Sequence, residues 1–161
     1  MNEIAFTKVK LPYGWLGNMY PHALEHQGLW YRTPEALFQV LRFEDAGVRS
    51  AIRDARSPMT AKMIAKANAD KMVVVPRSVA DLANMRSVLA LKLAQHAEVE
   101  ALLRGTGDAL LIEDCTARQS ESGLFWGMAR IWNKGLPPEG WKGENWLGKL
   151  WMEHRAALQK G

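Results

Sequence analysis

Thr33-Pro34-Glu35-Ala36-Leu37-Phe38-Gln39-Val40-Leu41-Arg42-Phe43 opens a helix and gathers polar groups on one side of it. Thr33 supplies a capping hydroxyl, and Pro34 suits the first helical position, where its missing N–H costs nothing. Glu35 then falls in the first turn. Gln39 and Arg42, four and then three residues further on, share its face, while Ala36, Leu37, Val40 and Leu41 point elsewhere, toward a core. The pattern predicts a helix from Pro34 to about Ala46, ended by Gly47. The helix dipole alone favours a first-turn glutamate, and a glutamate seven residues before an arginine is common on solvated faces. Spacing therefore leaves Glu35 open between chemistry and helix electrostatics.

Working outward, Leu29-Trp30-Tyr31-Arg32 reads as one strand of a hairpin turning at Gln27-Gly28, and Ile4 to Val9 alternates as a short strand. Lys10 to Gly28, rich in Gly, Pro, Asn and aromatic residues, reads as an ordered loop. A helix is expected from about Val48 to Arg56, and another from Met59 to Asn68, started by Ser57 as cap and Pro58 at the first position. Val73-Val74-Val75 fits a strand or an extended connection stopped by Pro76. Ser78-Val79-Ala80-Asp81 resembles a capping box and opens a long helix through Leu82, Met85, Val88, Leu89 and Leu93. Glu98 to Arg104 is a shorter helix ended by Gly105, and Ala109 to Glu113 a buried strand. Ala117 to Gly123 reads as a loop. The last helix starts near Asn145 as cap, and Gly148 in its first turns points to close approach of another backbone or of a ligand. With no internal repeat or linker, these elements predict an α+β fold, a single predominantly helical domain over residues 1–161 with a few short strands.

The 161 residues suffice for a real core, and 48% hydrophobic with 24% charged residues excludes wholesale disorder. A net charge of +4 permits an anionic partner, yet Arg49 to Arg56, the longest basic cluster, is interrupted by Asp54. A phosphorylated small molecule or a modified nucleic acid suits such a charge as well as bulk DNA does. Cys115 is the single cysteine, so no internal disulfide forms and a reducing compartment is expected. There is no signal-peptide pattern at the start and no long apolar run, which predicts a cytoplasmic protein without a membrane partner.

The four histidines, His22, His26, His96 and His154, are scattered, so no metal site and no cofactor are expected. His22 and His26 read as surface residues. Neither a Walker loop nor a dinucleotide fingerprint occurs. What remains are carboxylates at element ends: Glu35, and Glu113 with Asp114. Cleaving a glycosidic bond needs proton transfer and stabilisation of a cationic sugar, and carboxylates supply both. Lys92 falls near the apolar face of the long helix, where a lysine either meets an anion or snorkels to solvent, and snorkelling is the expectation. Trp126, followed by Gly127, is open between core packing and stacking on a base.

Several blocks, in this order, resemble the NADAR superfamily of small N-glycosidase-like proteins. They are Tyr13-Gly14-Trp15-Leu16-Gly17-Asn18; Thr33-Pro34-Glu35 with Phe38-Gln39 and Arg42-Phe43; Met85, Lys92 and Gln95; Leu102-Leu103, Thr106-Gly107 and Ile112-Glu113; Phe125-Trp126-Gly127; and Gly143-Glu144-Asn145-Trp146-Leu147-Gly148 with Met152 and Arg155. The resemblance implies hydrolysis of an N-glycosidic bond at the anomeric carbon of a phosphorylated ribose. The substrate would be ADP-ribose attached to guanine in nucleic acid, or a ribosylamino-pyrimidine phosphate of riboflavin synthesis. It further implies Glu35 as the catalytic carboxylate and Trp126, with Gly127, at the base or ribose. Asn18, Gln39, Arg42, Lys92, Asn145 and Gly148 become contacts to ribose and phosphate. The chain departs from the family pattern at Ala36, where histidine is usual; at Arg42, often lysine; at Gly123, the nearest spacing to an expected aspartate; at Ala129, which replaces a glycine; and over Pro76 to Asn84, which lacks a tryptophan. These departures motivate an alternative, a module that binds ADP-ribose or NAD without cleaving it.

Overall fold

The computed structural model describes residues 2–161 and shows a predominantly helical α+β protein with six short strands among the described residues. The chain divides into two units, residues 2–17 with 101–161, and residues 18–100.

In the first unit, β1 (Glu3–Phe6) pairs in parallel with β4 (Leu110–Glu113), from Glu3↔Leu110 to Phe6↔Glu113. The predicted strand was longer; it stops at Phe6 because its partner ends at Glu113, where Asp114 N donates to Phe6 O at 2.8 Å. Leu111 and Ile112 on β4 are fully buried, and α7 (Trp146–Gln159) packs on that strand. α6 (Glu121–Trp126) packs on α7 and occupies the end of what the sequence predicts as loop. Ser120 starts it, its hydroxyl accepting from Gly123 N at 3.0 Å. β5 (Ala129–Arg130) and β6 (Trp141–Lys142) form a small antiparallel pair. Trp151 anchors the core: its indole N–H donates to Leu16 O at 2.8 Å, in the 3-10 turn Gly14–Leu16, and its ring meets Trp15 edge-on at 6.4 Å.

In the second unit, β2 (Leu24–His26) and β3 (Leu29–Tyr31) make the predicted hairpin, with Gln27 and Gly28 both at positive φ. That geometry matches a two-residue hairpin turn. α1 (Pro34–Val40) starts at Thr33, whose hydroxyl accepts from Ala36 N at 3.2 Å. The expected run to Ala46 is corrected. Leu41 N still bonds Leu37 O, but Arg42 and Phe43 tighten into i→i+3 bonds, Val73 N and Val74 N then take the Arg42 carbonyl, and Phe43 bridges Met72. Those contacts lie thirty residues apart in sequence. Asp45 starts α2 (Ala46–Asp54), accepting from Val48 N at 2.9 Å, so Gly47 lies inside a helix and ends none. α3 (Pro58–Ala67) begins at Ser57 as predicted, Val73 to Val75 is an exposed connection, and α4 (Val79–Gln95) begins at Ser78. α5 (Ala97–Gly105) follows at once, its residues from Ala101 on belonging to the first unit. α1 packs against α2, α3 and α4.

Candidate active site

All seven residues of α1 are buried, Glu35 included. Its first turn is held from outside the helix by Glu35 N donating to Asn18 O at 3.0 Å. The carboxylate is held from inside. Gln39 Nε2 donates to Glu35 Oε1 at 2.9 Å, and the Gln39 carbonyl oxygen accepts from Arg42 Nη1 at 3.2 Å. Behind them Arg42 grips Asp81 of α4 through Nε at 2.9 Å and Nη2 at 2.7 Å, a fork-on-fork pair with the carboxylate wholly enclosed. Asp81 Oδ2 also accepts from Arg77 N at 2.7 Å, and the guanidinium lies 4.6 Å from the Phe38 ring centroid. Sequence spacing finds Glu35, Gln39 and Arg42. It reads Asp81 only as a helix-start residue, since nothing local links positions 39 apart.

Asn18 and Lys92 belong to the same unit. The Asn18 amide N–H donates to the Met85 sulfur at 2.9 Å, while its buried Oδ1 has no hydrogen-bond partner among the described residues. Lys92 overturns the snorkelling expectation. It is 0% exposed, and burial pushes its ammonium down to about 7, because a low-dielectric surround penalises the charged form. His22 is also corrected: it is buried, not a surface residue. Burial first, then the positive charges of Lys92 and His96, depress His22 to about 4. His22, His96 and Glu98 are the described residues whose donor atoms come close enough together to hold a metal ion.

The remaining candidates lie in the first unit. Asn145 precedes α7 in the left-handed region, at φ 56°, and its side chain makes no capping bond to its own helix. It reaches β4 instead, Oδ1 accepting from Glu113 N at 3.1 Å and Nδ2 donating to Leu111 O at 2.9 Å. Gly148 faces the same carbonyl. A Cβ there would sit 2.1 Å from Leu111 O, so of the two readings of this glycine the backbone approach is the one realised. Gly127 is equally tight, with Glu113 O 2.3 Å from a would-be Cβ. Trp126 ends α6, buried, its ring edge-on to Phe125 at 4.9 Å. A shallow depression of about 270 Å³ lies in the second unit, bordered by Trp30, Tyr31, Arg32 and Arg53, and includes none of the predicted residues.

The NADAR domain model matches residues 5–159, and the chain belongs to that family. It is similar to an N-glycosidase of Nostoc punctiforme, 30% identical over 97% of this chain and 92% of the relative. It is 32% identical to the N-glycosidase YbiA of Escherichia coli, over 96% of this chain and 88% of that one. The NMR structure of E. coli YbiA superposes with a TM-score of 0.75, covering 99% of this chain and 88% of that protein at 30% identity.

Proposed function

We propose that this chain hydrolyses the bond between the anomeric carbon of a phosphorylated ribose and a base nitrogen, with Glu35 as the catalytic carboxylate. At the coarser level the chain is a hydrolase acting on N-glycosyl bonds. The observation that carries Glu35 is its enclosure: a buried carboxylate whose Oε1 is fixed by Gln39 while an arginine–aspartate pair fixes Gln39 in turn. Such a chain of bonds holds one rotamer, which is what a reacting group requires.

With Oε1 engaged, Oε2 meets the reactants. Water adds its oxygen to the anomeric carbon and gives a proton to the carboxylate, and the carbon–nitrogen bond breaks with its electron pair leaving on the base. A carboxylate beside the ribosyl cation also offsets its charge. Gln39 and Arg42 act through Glu35 and are positioning residues. Asn18 Oδ1, buried and unpartnered, is an acceptor for a ribose hydroxyl. Lys92 supplies a cation for phosphate, and anion binding raises its protonation. The substrate class is ADP-ribosylated guanine in nucleic acid or a ribosylamino-pyrimidine phosphate, and a cytoplasmic setting suits both. The test offers the two substrates in parallel to the wild-type chain and to Glu35→Gln, with products resolved by mass spectrometry. Release of ADP-ribose from the nucleic acid, or of the free pyrimidine from the ribosylamino-pyrimidine phosphate, lost in the variant, is expected; an unchanged rate removes Glu35 from the mechanism.

A second reading, a module that binds ADP-ribose or NAD without cleaving it, has a specific observation in its favour. At Gly123 a Cβ would lie 2.7 Å from Arg118 O, so the family's aspartate has no room at that spacing, and Ala36 beside Glu35 is buried and apolar. Calorimetry showing tight ADP-ribose binding, with neither ADP-ribose nor pyrimidine released from the two substrates on prolonged incubation, is the outcome that selects it.

A further inference from the structure

Outside the Glu35 network, the second unit holds a cluster with no part in the proposed hydrolysis. His22 lies in the segment before β2, His96 follows the last residue of α4, and Glu98 sits in the first turn of α5. Glu98 Oε1 is 3.5 Å from His22 Nε2 and 3.5 Å from His96 Nδ1, and one donor atom of each residue lies within 4.8 Å of the others. We propose that His22, His96 and Glu98 form a binding site for one borderline divalent cation of the zinc class, with the fourth position open to water.

Three observations carry this. The first is tautomeric. His96 Nε2 is 2.7 Å from Ala23 O, a carbonyl that can only accept, so Nε2 carries the proton and donates it. Nδ1, on the other side of the ring, faces the Glu98 carboxylate oxygen at 3.5 Å, an arrangement that a cation between the two would complete. An outward N–H on a backbone carbonyl is also how proteins orient a metal-bound imidazole.

The second is spacing. The two 3.5 Å separations are longer than a usual N–H···O bond of about 2.9 Å. They fit neighbouring donors of a tetrahedral ion: bonds of about 2.0–2.2 Å at the tetrahedral angle put adjacent ligand atoms about 3.4 Å apart.

The third is preorganisation. The His22 ring is buried, with ring centroids of Tyr20 at 4.5 Å and His96 at 4.6 Å, so it does not need to be recruited from solvent. Two nitrogens and one oxygen suit zinc, cobalt, nickel or copper over magnesium or calcium.

The experiment uses untagged, chelator-treated full chain titrated with zinc chloride by calorimetry, and in parallel with cobalt chloride by visible absorption. One equivalent of zinc per chain is expected, with the intense d–d bands of four- or five-coordinate cobalt. Glu98→Gln and His96→Ala should each weaken zinc by more than tenfold, the scale on which even outer-shell partners act. Glu98 is exposed, so its substitution leaves the core untouched, and circular dichroism confirms the fold of both variants. His154→Gln, elsewhere in the chain, should bind as wild type does. Zinc uptake that is absent, that survives both cluster substitutions, or that falls equally in His154→Gln overturns the site.

Discussion

Two helix starts in this molecule carry almost the same polar signal and use it differently. At the start of α1 the polar side chains bond to one another: Glu35 to Gln39, Gln39 to Arg42, Arg42 to Asp81. At the start of α7 the polar side chain bonds to backbone. Asn145 spends both ends of its amide on β4, and Gly148 is filled by the Leu111 carbonyl that Asn145 also holds. A side-chain network ending in a carboxylate with one oxygen still to use is what the proposed hydrolysis calls for. An amide whose donor and acceptor are both consumed by a strand is a clamp. Substrate contact is therefore better sought at Glu35 and Asn18 than at Asn145 and Gly148.

The largest expected break in this contrast is Glu35→Gln. The amide keeps an oxygen for Gln39 but neither takes a proton nor carries charge, so kcat should fall by about 100- to 10,000-fold with an unchanged melting curve. Next comes Asp81→Asn, which leaves the Arg42 guanidinium buried without its counter-charge. Denaturant titration should show a loss of about 3–5 kcal/mol, and residual activity should fall as Gln39 and Glu35 lose their anchor. Gly148→Ala tests the clamp. The added methyl has nowhere to go, and a stability cost of about 1–3 kcal/mol should come with an unaltered KM in the fraction that folds. A raised KM at full stability would move Gly148 back among the substrate contacts.

The smallest effect is a slope. Lys92 falls from its ordinary 10.5 to about 7, so between those values the unfolded chain binds the proton that the native chain has released. Stability then rises with pH across that window, and the burial penalty is complete below pH 7. Lys92→Met should remove the slope, its advantage over wild type being greatest below pH 7 and shrinking toward pH 10.5. Urea midpoints at pH 6, 8 and 10 measure it; parallel curves for the two proteins would contradict the buried lysine.

The parts of the fold that sequence reveals are those decided by near neighbours. Thr33, Ser57 and Ser78 start their helices as their hydroxyls predict, and Gln27-Gly28 turns the hairpin. The end of α1 was not legible, because Val73 and Val74 compete for the Arg42 carbonyl from thirty residues away. The candidate site divides in the same manner. Glu35, Gln39 and Arg42 lie on one helix and can be found by counting, whereas Asp81 completes their network across 39 positions. His22 reads as a surface residue because its partners, His96 and Glu98, are more than seventy residues on. Gly148 announces a close approach but does not name the Leu111 carbonyl that makes it.

The shortness and full enclosure of α1 carry a consequence for motion. A helix of seven residues has almost no stability of its own in water, and this one has no solvent face along which to fray. It exists only while its neighbours α2, α3 and α4 hold it, so opening it requires loosening those contacts together. The Glu35 amide, bonded to Asn18 O, should then exchange with deuterium only in the large cooperative openings of residues 18–100, and the geometry of the carboxylate should last as long as that unit stays folded.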